Sequence, residues 1–240
     1  MNMIEKILLE RAERAGIPLT DEMAEKFASY RQMVIEANRT MNLTRVSEDP
    51  EEAVDRDALD ALAPLRVSGL MGPVRTLIDV GSGAGVPGVV LAIALPNVRV
   101  TLLDATKKRV DFLNRVCEAL SLNARAVHGR AEDAARDKAL RDGFDCATAR
   151  AVAGLPALTE ICLPFVRPGG FFLAYKGPAL EDELPAAKNA LRLLGGRARP
   201  PISLAIPGRD WDHRLLIVDK LAPTPAAYPR KAGEPEKKPL

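Results

Sequence analysis

The hydrophobic pattern of the chain changes character near residue 74. Before it, apolar residues recur at helical spacing. Ile4, Leu8, Ala12 and Ala15, set among Glu5, Lys6, Glu10 and Arg11, predict a first helix that Gly16-Ile17-Pro18 ends. Met23, Phe27, Tyr30 and Val34 form the apolar stripe of a second, entered at Thr20-Asp21, either of which can cap it. After a polar connection over 38–44, Ser47 or Asp49 ahead of Pro50 opens a third helix. It is expected to run to about Leu65, with Val54, Ala58, Leu62 and Leu65 on one side.

Beyond residue 74 short apolar runs alternate with helical periods. Strands are predicted at 74–80, 98–104, 125–128, 144–149, 171–176, 203–206 and 215–220. Helices are predicted at 86–95, 107–120, 131–140 and 155–165, with one more ending at Leu194. Such alternation specifies an α/β fold, a mostly parallel seven-stranded sheet with helices on both faces. The last two strands have no helix between them, so an antiparallel strand is expected at one edge. Residues 222–240 hold six Pro and Gly in nineteen positions and read as an extended basic tail. The expected organisation is a helical extension over 1–70, a Rossmann-like domain over 71–221 and the tail over 222–240.

Composition narrows the class. With 240 residues, 47 % of them hydrophobic and 28 % charged, the chain is long enough for a real core and is neither a disordered nor a basic coat protein. The net charge of +2 resides in the last eleven residues, where Arg230, Lys231, Lys237 and Lys238 face Glu234 and Glu236. Attraction to a polyanion must therefore come from local patches. Cys117, Cys146 and Cys162 are odd in number and form no C-x-x-C pair, which argues against a disulfide framework or a zinc site and fits a reducing cytoplasm. Acidic residues interrupt the start of the chain, and no segment has the run of about 18 apolar residues a membrane helix needs.

The chemistry is concentrated where the first predicted α/β strand ends. Asp79-Val80-Gly81-Ser82-Gly83-Ala84-Gly85-Val86-Pro87-Gly88 is a carboxylate, three alternating glycines and a helix start. Alternating glycines let the chain turn sharply while a ligand touches its backbone, and the helix offers unpaired N–H groups across the turn. Residues 83–88 also satisfy the dinucleotide pattern G-x-G-x-x-G. Asp79, aimed at the mouth, would repel a pyrophosphate but suits an ammonium. Asp104, closing the next strand, suits the two hydroxyls of a ribose. Together they favour S-adenosylmethionine, which carries an amino group, a sulfonium and no phosphate. Arg150 and Lys176 end later strands and face the same mouth, Arg150 for cofactor or phosphate and Lys176 for RNA. His128 and His213 are read as structural.

Several segments together resemble one family, RsmG (also GidB). They are Met41-Asn42-Leu43-Thr44, Arg56 with Asp60, the glycine loop, Leu102-Leu103-Asp104, Lys108-Arg109-Val110 with Phe112-Leu113, Ala149-Arg150-Ala151, Tyr175-Lys176-Gly177 and Tyr228-Pro229-Arg230-Lys231-Ala232-Gly233. The resemblance implies a class I methyltransferase fold and transfer of a methyl group from S-adenosylmethionine to guanine N7 of 16S ribosomal RNA, free or in an assembling small subunit. It implies cofactor contacts at Gly81, Val86, Ala131, Glu132 and Arg150, which join Asp79, Gly83, Gly85 and Asp104 from the residue-level reading. Arg230 and Lys231 are expected to grip RNA, and the protein to act as a monomer. Asp57 and Ala61 stand where the family usually shows His and Ser.

Overall fold

The computed structural model describes residues 1–44, 47, 49–204, 206 and 209–240. Two long helices open the chain, α1 (Met3–Arg14) and α2 (Asp21–Met41). Asn2 and Glu5 close a reciprocal capping box on α1, and the Thr20 hydroxyl accepts from Met23 N–H to start α2. The predicted third helix is present but not uniform. It begins as α3 (Pro50–Ala53), widens into a π-helical turn over Val54–Leu59 and tightens to a 3₁₀ turn over Ala63–Arg66. The widening accompanies the burial of Asp55, whose carboxylate accepts from Arg11 and Arg209.

The α/β part follows as β1 (Thr76–Val80), α4 (Gly88–Ala94), β2 (Arg99–Asp104), α5 (Lys107–Ala119), β3 (Ala124–His128), α6 (Ala131–Ala134), β4 (Phe144–Arg150), α7 (Leu155–Cys162) and β5 (Val166–Lys176). The chain ends with α8 (Leu180–Ala186), α9 (Lys188–Leu193), β6 (Gly196–Ala198), β7 (Ile202–Ser203), β8 (Arg214–Lys220) and α10 (Glu234–Lys237). The sheet runs β3-β2-β1-β4-β5-β8-β6, with β7 also paired to β8. The first five strands are parallel, and β8 is antiparallel to β5.

Four local expectations are corrected. The sheet has eight strands, because Gly196–Ala198, which carries no strand signal, pairs with the open side of β8. That puts β8 inside the sheet and leaves β6 and β7 at its margin. The predicted strand 203–206 reduces to Ile202–Ser203 among the described residues; Ala205 lies outside them. The predicted helix 131–140 stops at Ala134, because the Asp137 carboxylate accepts from Ala139 N–H and closes a turn instead. The helix expected before Leu194 is split into α8 and α9 just after Pro185, which has no N–H to continue the ladder.

Two apolar layers flank the sheet. On one face Leu8, Phe27 and Tyr30 of the N-terminal helices pack with Leu91, Leu102 and Leu113. On the other, Ile78, Leu158, Phe165, Phe172 and Leu191 pack together. The N-terminal helices therefore share a core with α4 and α5 and stand beside the carboxyl end of β1. All three cysteines are buried free thiols.

The C-terminal segment is folded back on the domain, not extended. Arg141 donates to the carbonyls of Thr224 (2.7 Å) and Tyr228 (3.0 Å), and Arg136 to that of Pro229 (2.5 Å). A proline-rich stretch cannot form a regular ladder but keeps its carbonyl acceptors, and guanidinium donors satisfy them here.

Candidate active site

The loop after β1 is built on main-chain bonds. The N–H groups of Gly81 and Ser82 both donate to the Leu103 carbonyl (2.8 and 3.0 Å), and Gly85 N–H returns to Ser82 O (2.7 Å). This hooks the glycine turn over the end of β2. Gly85 has φ +113°, and a Cβ there would come within 2.6 Å of Val89, 3.0 Å of the Tyr30 hydroxyl and 3.1 Å of Leu113. At Gly88 a Cβ would lie 2.4 Å from Leu102 and 2.5 Å from Asp79 Oδ2, so only glycine lets α4 start this close to the sheet.

Asp79 departs from its expected placement. It is buried under the loop and does not line the mouth. Its Oδ2 accepts from Gly88 N–H (3.2 Å), while Oδ1 has no hydrogen-bond partner. Burial without a full set of donors pushes this carboxyl up to about 7. Asp79 thus sets the start of α4 and places latent negative charge beneath the loop. Asp104 is where the strand pattern put it. Its Oδ2 accepts from Gly83 N–H (2.9 Å), its Oδ1 from Thr106 N–H (2.8 Å), and Arg109 lies 3.8 Å away.

Two cavities share Gly81 in their walls. The larger, about 260 Å³, is lined on the loop side by Gly81, Gly83 and Val86, opposite Tyr30 and Arg31 of α2, with Arg150 also in its wall. The smaller, about 100 Å³, is lined by Asp104, Ala131 and Glu132, with Val152 and Glu236. The structure therefore gathers Gly81, Gly83, Val86, Asp104, Ala131, Glu132 and Arg150 around one divided cleft at the carboxyl ends of β1, β2 and β4, where ligands bind in open α/β sheets. Gly85 is packed behind the cleft.

Arg150 is held by acceptors from the third helical segment. Its Nη1 donates to Arg56 O (2.8 Å) and to Asp60 Oδ2 (3.3 Å), and its Nη2 lies 3.7 Å from Asp57. Asp57 itself lines the larger cavity. On the far side of Asp60, His213 Nδ1 lies 3.2 Å from its other oxygen, Oδ1, which raises the pKa of the imidazole, and the ring stacks on Trp211.

The expected RNA contacts fare differently. Lys176 has a side chain 11 % exposed, with its Nζ 2.5 Å from Glu183 and 3.1 Å from Ala153 O, and lies outside both cavities. Arg230 is engaged by the buried carboxylate of Glu160 at 2.6 Å. Both cations are committed to internal partners. Lys231 is exposed.

Sequence reading missed Tyr30, Arg31, Asp57 and Arg109 as parts of the cleft. Tyr30 was legible only as a member of the stripe 27/30/34. Its hydroxyl donates to Ala84 O (2.9 Å), and burial raises its pKa. The groups present fit S-adenosylmethionine: a carboxylate at the end of β2, loop backbone within reach, and a smaller cavity in which Asp104, Glu132 and Glu236 outnumber Arg130, a lining poorly suited to a phosphate.

A family model described as "rRNA small subunit methyltransferase G" matches residues 23–204. A ribosomal RNA small subunit methyltransferase G of Alkaliphilus oremlandii is 42 % identical over 238 residues, 99 % of each chain. A protein of the same name from Clostridium botulinum is 43 % identical over 235 residues, 98 % of each. Among solved structures, an O-methyltransferase from Bacillus cereus in complex with SAH superposes with a TM-score of 0.56 at 20 % identity, covering 91 % of this chain and all of that one. The last match supports the class I methyltransferase fold.

Proposed function

This chain belongs to the rRNA small subunit methyltransferase G family, and from that premise we propose that it methylates guanine N7 of 16S ribosomal RNA with S-adenosylmethionine. The observation that carries the reading is the divided cleft at Gly81, with Asp104 on one side and Arg150 on the other. Gly81, Gly83, Val86, Asp104, Ala131, Glu132 and Arg150 would hold the cofactor, which supplies an electrophilic methyl on a sulfonium. Asp79 acts from below, through Gly88 and through its charge.

Guanine N7 offers a lone pair and has no proton to lose, so the reaction needs no general base. The chain's contribution is orientation in line and exclusion of water. Tyr30 ties α2 to the glycine loop and so keeps one wall of the cleft in place. Arg109, in that wall with a side chain 38 % exposed, is better placed than Lys176 or Arg230 to meet an RNA phosphate. Lys231 remains available for the same purpose. Among the described residues no helix is long and apolar enough to cross a membrane, and a small-subunit RNA substrate would be met in the cytoplasm.

The test is transfer of tritiated methyl to small-subunit rRNA from cells lacking this protein, followed by mass mapping. Label recovered as 7-methylguanosine at one position supports the proposal; label on another atom, or none, refutes it.

A further inference from the structure

The turn 228–233 is fastened to the domain at two points. Arg230 donates Nε and Nη2 to the Glu160 carboxylate (3.0 and 2.6 Å), and its main-chain N–H adds a third bond (2.8 Å). Glu160 sits on α7 with no exposed surface. Three residues further on, Gly233 N–H donates to Glu132 Oε1 (2.8 Å). Directly after this second anchor, Pro235 is buried and Glu236 enters the wall of the smaller cavity, facing Gly81, Asp104, Ala131 and Glu132. Every other wall of that cavity comes from the α/β framework; this one comes from the last seven residues, outside the span the family model matches.

We propose that the C-terminal segment 230–236 is a wall of the S-adenosylmethionine pocket, with Glu236 against the nucleoside and Arg230 and Gly233 as positioning groups. The inference rests on the cofactor reading above and deepens it. Asp104, Glu132 and Glu236 place three carboxyl groups around about 100 Å³, while Arg130, 3.6 Å from Glu132, is the nearby cation in that wall. Acceptors in that density match the hydroxyls and amino group of an adenosine and repel a phosphate. The Gly233 bond also orients the Glu132 side chain, so the wall and the framework residue beside it are set together. The tail's composition suggested a solvated arm for RNA; its anchors turn it toward the cofactor.

Calorimetric titration with S-adenosylhomocysteine distinguishes the two roles. Three proteins are compared: the full chain, a chain ending at Gly233, and full-length Glu236→Ala. The shortened chain keeps the Arg230–Glu160 pair and the Gly233 N–H, and Glu236→Ala removes one exposed side chain should the shortened chain not fold. Binding is expected to weaken about tenfold in the shortened chain and about threefold in Glu236→Ala, the range of an ordinary net hydrogen bond. The ligand-free melting point of Glu236→Ala and the rRNA affinity of both variants are expected to hold. Binding within twofold of the full chain in both variants overturns the inference and leaves the cofactor reading standing, as does a loss confined to rRNA affinity. A full chain that does not bind S-adenosylhomocysteine removes the premise itself.

Discussion

Replacing Arg230 with alanine withdraws the guanidinium from a carboxylate that has no exposed surface. Glu160 would keep one bond, from the residue 230 main-chain N–H, and lose the paired contacts to Nε and Nη2. Breaking a buried pair by removing one partner costs about 3–5 kcal/mol. The Arg230 side chain is 24 % exposed, so the pair is not fully dry, and the lower end, about 3 kcal/mol, applies. In a chain of this size each kcal/mol moves the melting point by about 2–4 °C, which predicts a fall of about 6–12 °C. Because the segment is terminal it can undock and hydrate Glu160, so the loss is capped by the undocking free energy. Urea and thermal unfolding of the purified protein give the number. The double variant Arg230→Ala, Glu160→Gln should recover more than half of it, since a neutral amide is cheaper to leave under-bonded than a carboxylate. A loss below about 1 kcal/mol, or a double variant no more stable than the single one, would refute the picture of a desolvated anchor.

Three further outcomes follow from the site. Asp104→Ala should weaken S-adenosylhomocysteine binding by about 1–3 kcal/mol, because it removes an acceptor to the ligand and frees the Gly83 and Thr106 N–H groups; unchanged calorimetric affinity would take Asp104 out of the site. Asp79 has its folded pKa raised to about 7 from 3.8, so between those values the folded chain holds a proton that the unfolded chain has released. Its contribution therefore falls as pH rises from about 4 to about 7, and Asp79→Asn should flatten that part of the stability curve; equal slopes for both proteins in urea melts across this range would contradict the assignment. Tyr30→Phe leaves the Ala84 carbonyl without its donor and should cost about 1–2 kcal/mol of stability together with a loss of cofactor affinity. An unaltered binding constant would show that α2 packs on the loop without organising it.

The order of β1 to β5 and of the longer helices was readable from period, because those strands carry short apolar stretches and those helices a stripe, whereas Gly196–Ala198 offers neither. The glycine loop and Asp104 were equally readable, since backbone turns and strand ends are local consequences of residue type. Asp79 shows the boundary of that reasoning. Its position at the end of β1 is a matter of sequence, but whether the carboxylate meets solvent depends on how closely Gly88 brings α4 to the strand, and that contact buries it.

Lys176 and Arg230 mark the same boundary on the cationic side. A lysine at a strand end and an arginine in a basic tail look like phosphate ligands until Glu183 and Glu160 are found within 2.6 Å of them. Those partners lie 7 and 70 residues away along the chain. Local pattern specified the elements, the loop that cradles a ligand and the acid at the next strand end, because each follows from backbone geometry over a few residues. Packing between distant segments settled which charges are already neutralised, which face Tyr30 presents to the loop and where the last residues go, because charge pairing and burial depend on neighbours that the order of residues does not bring together.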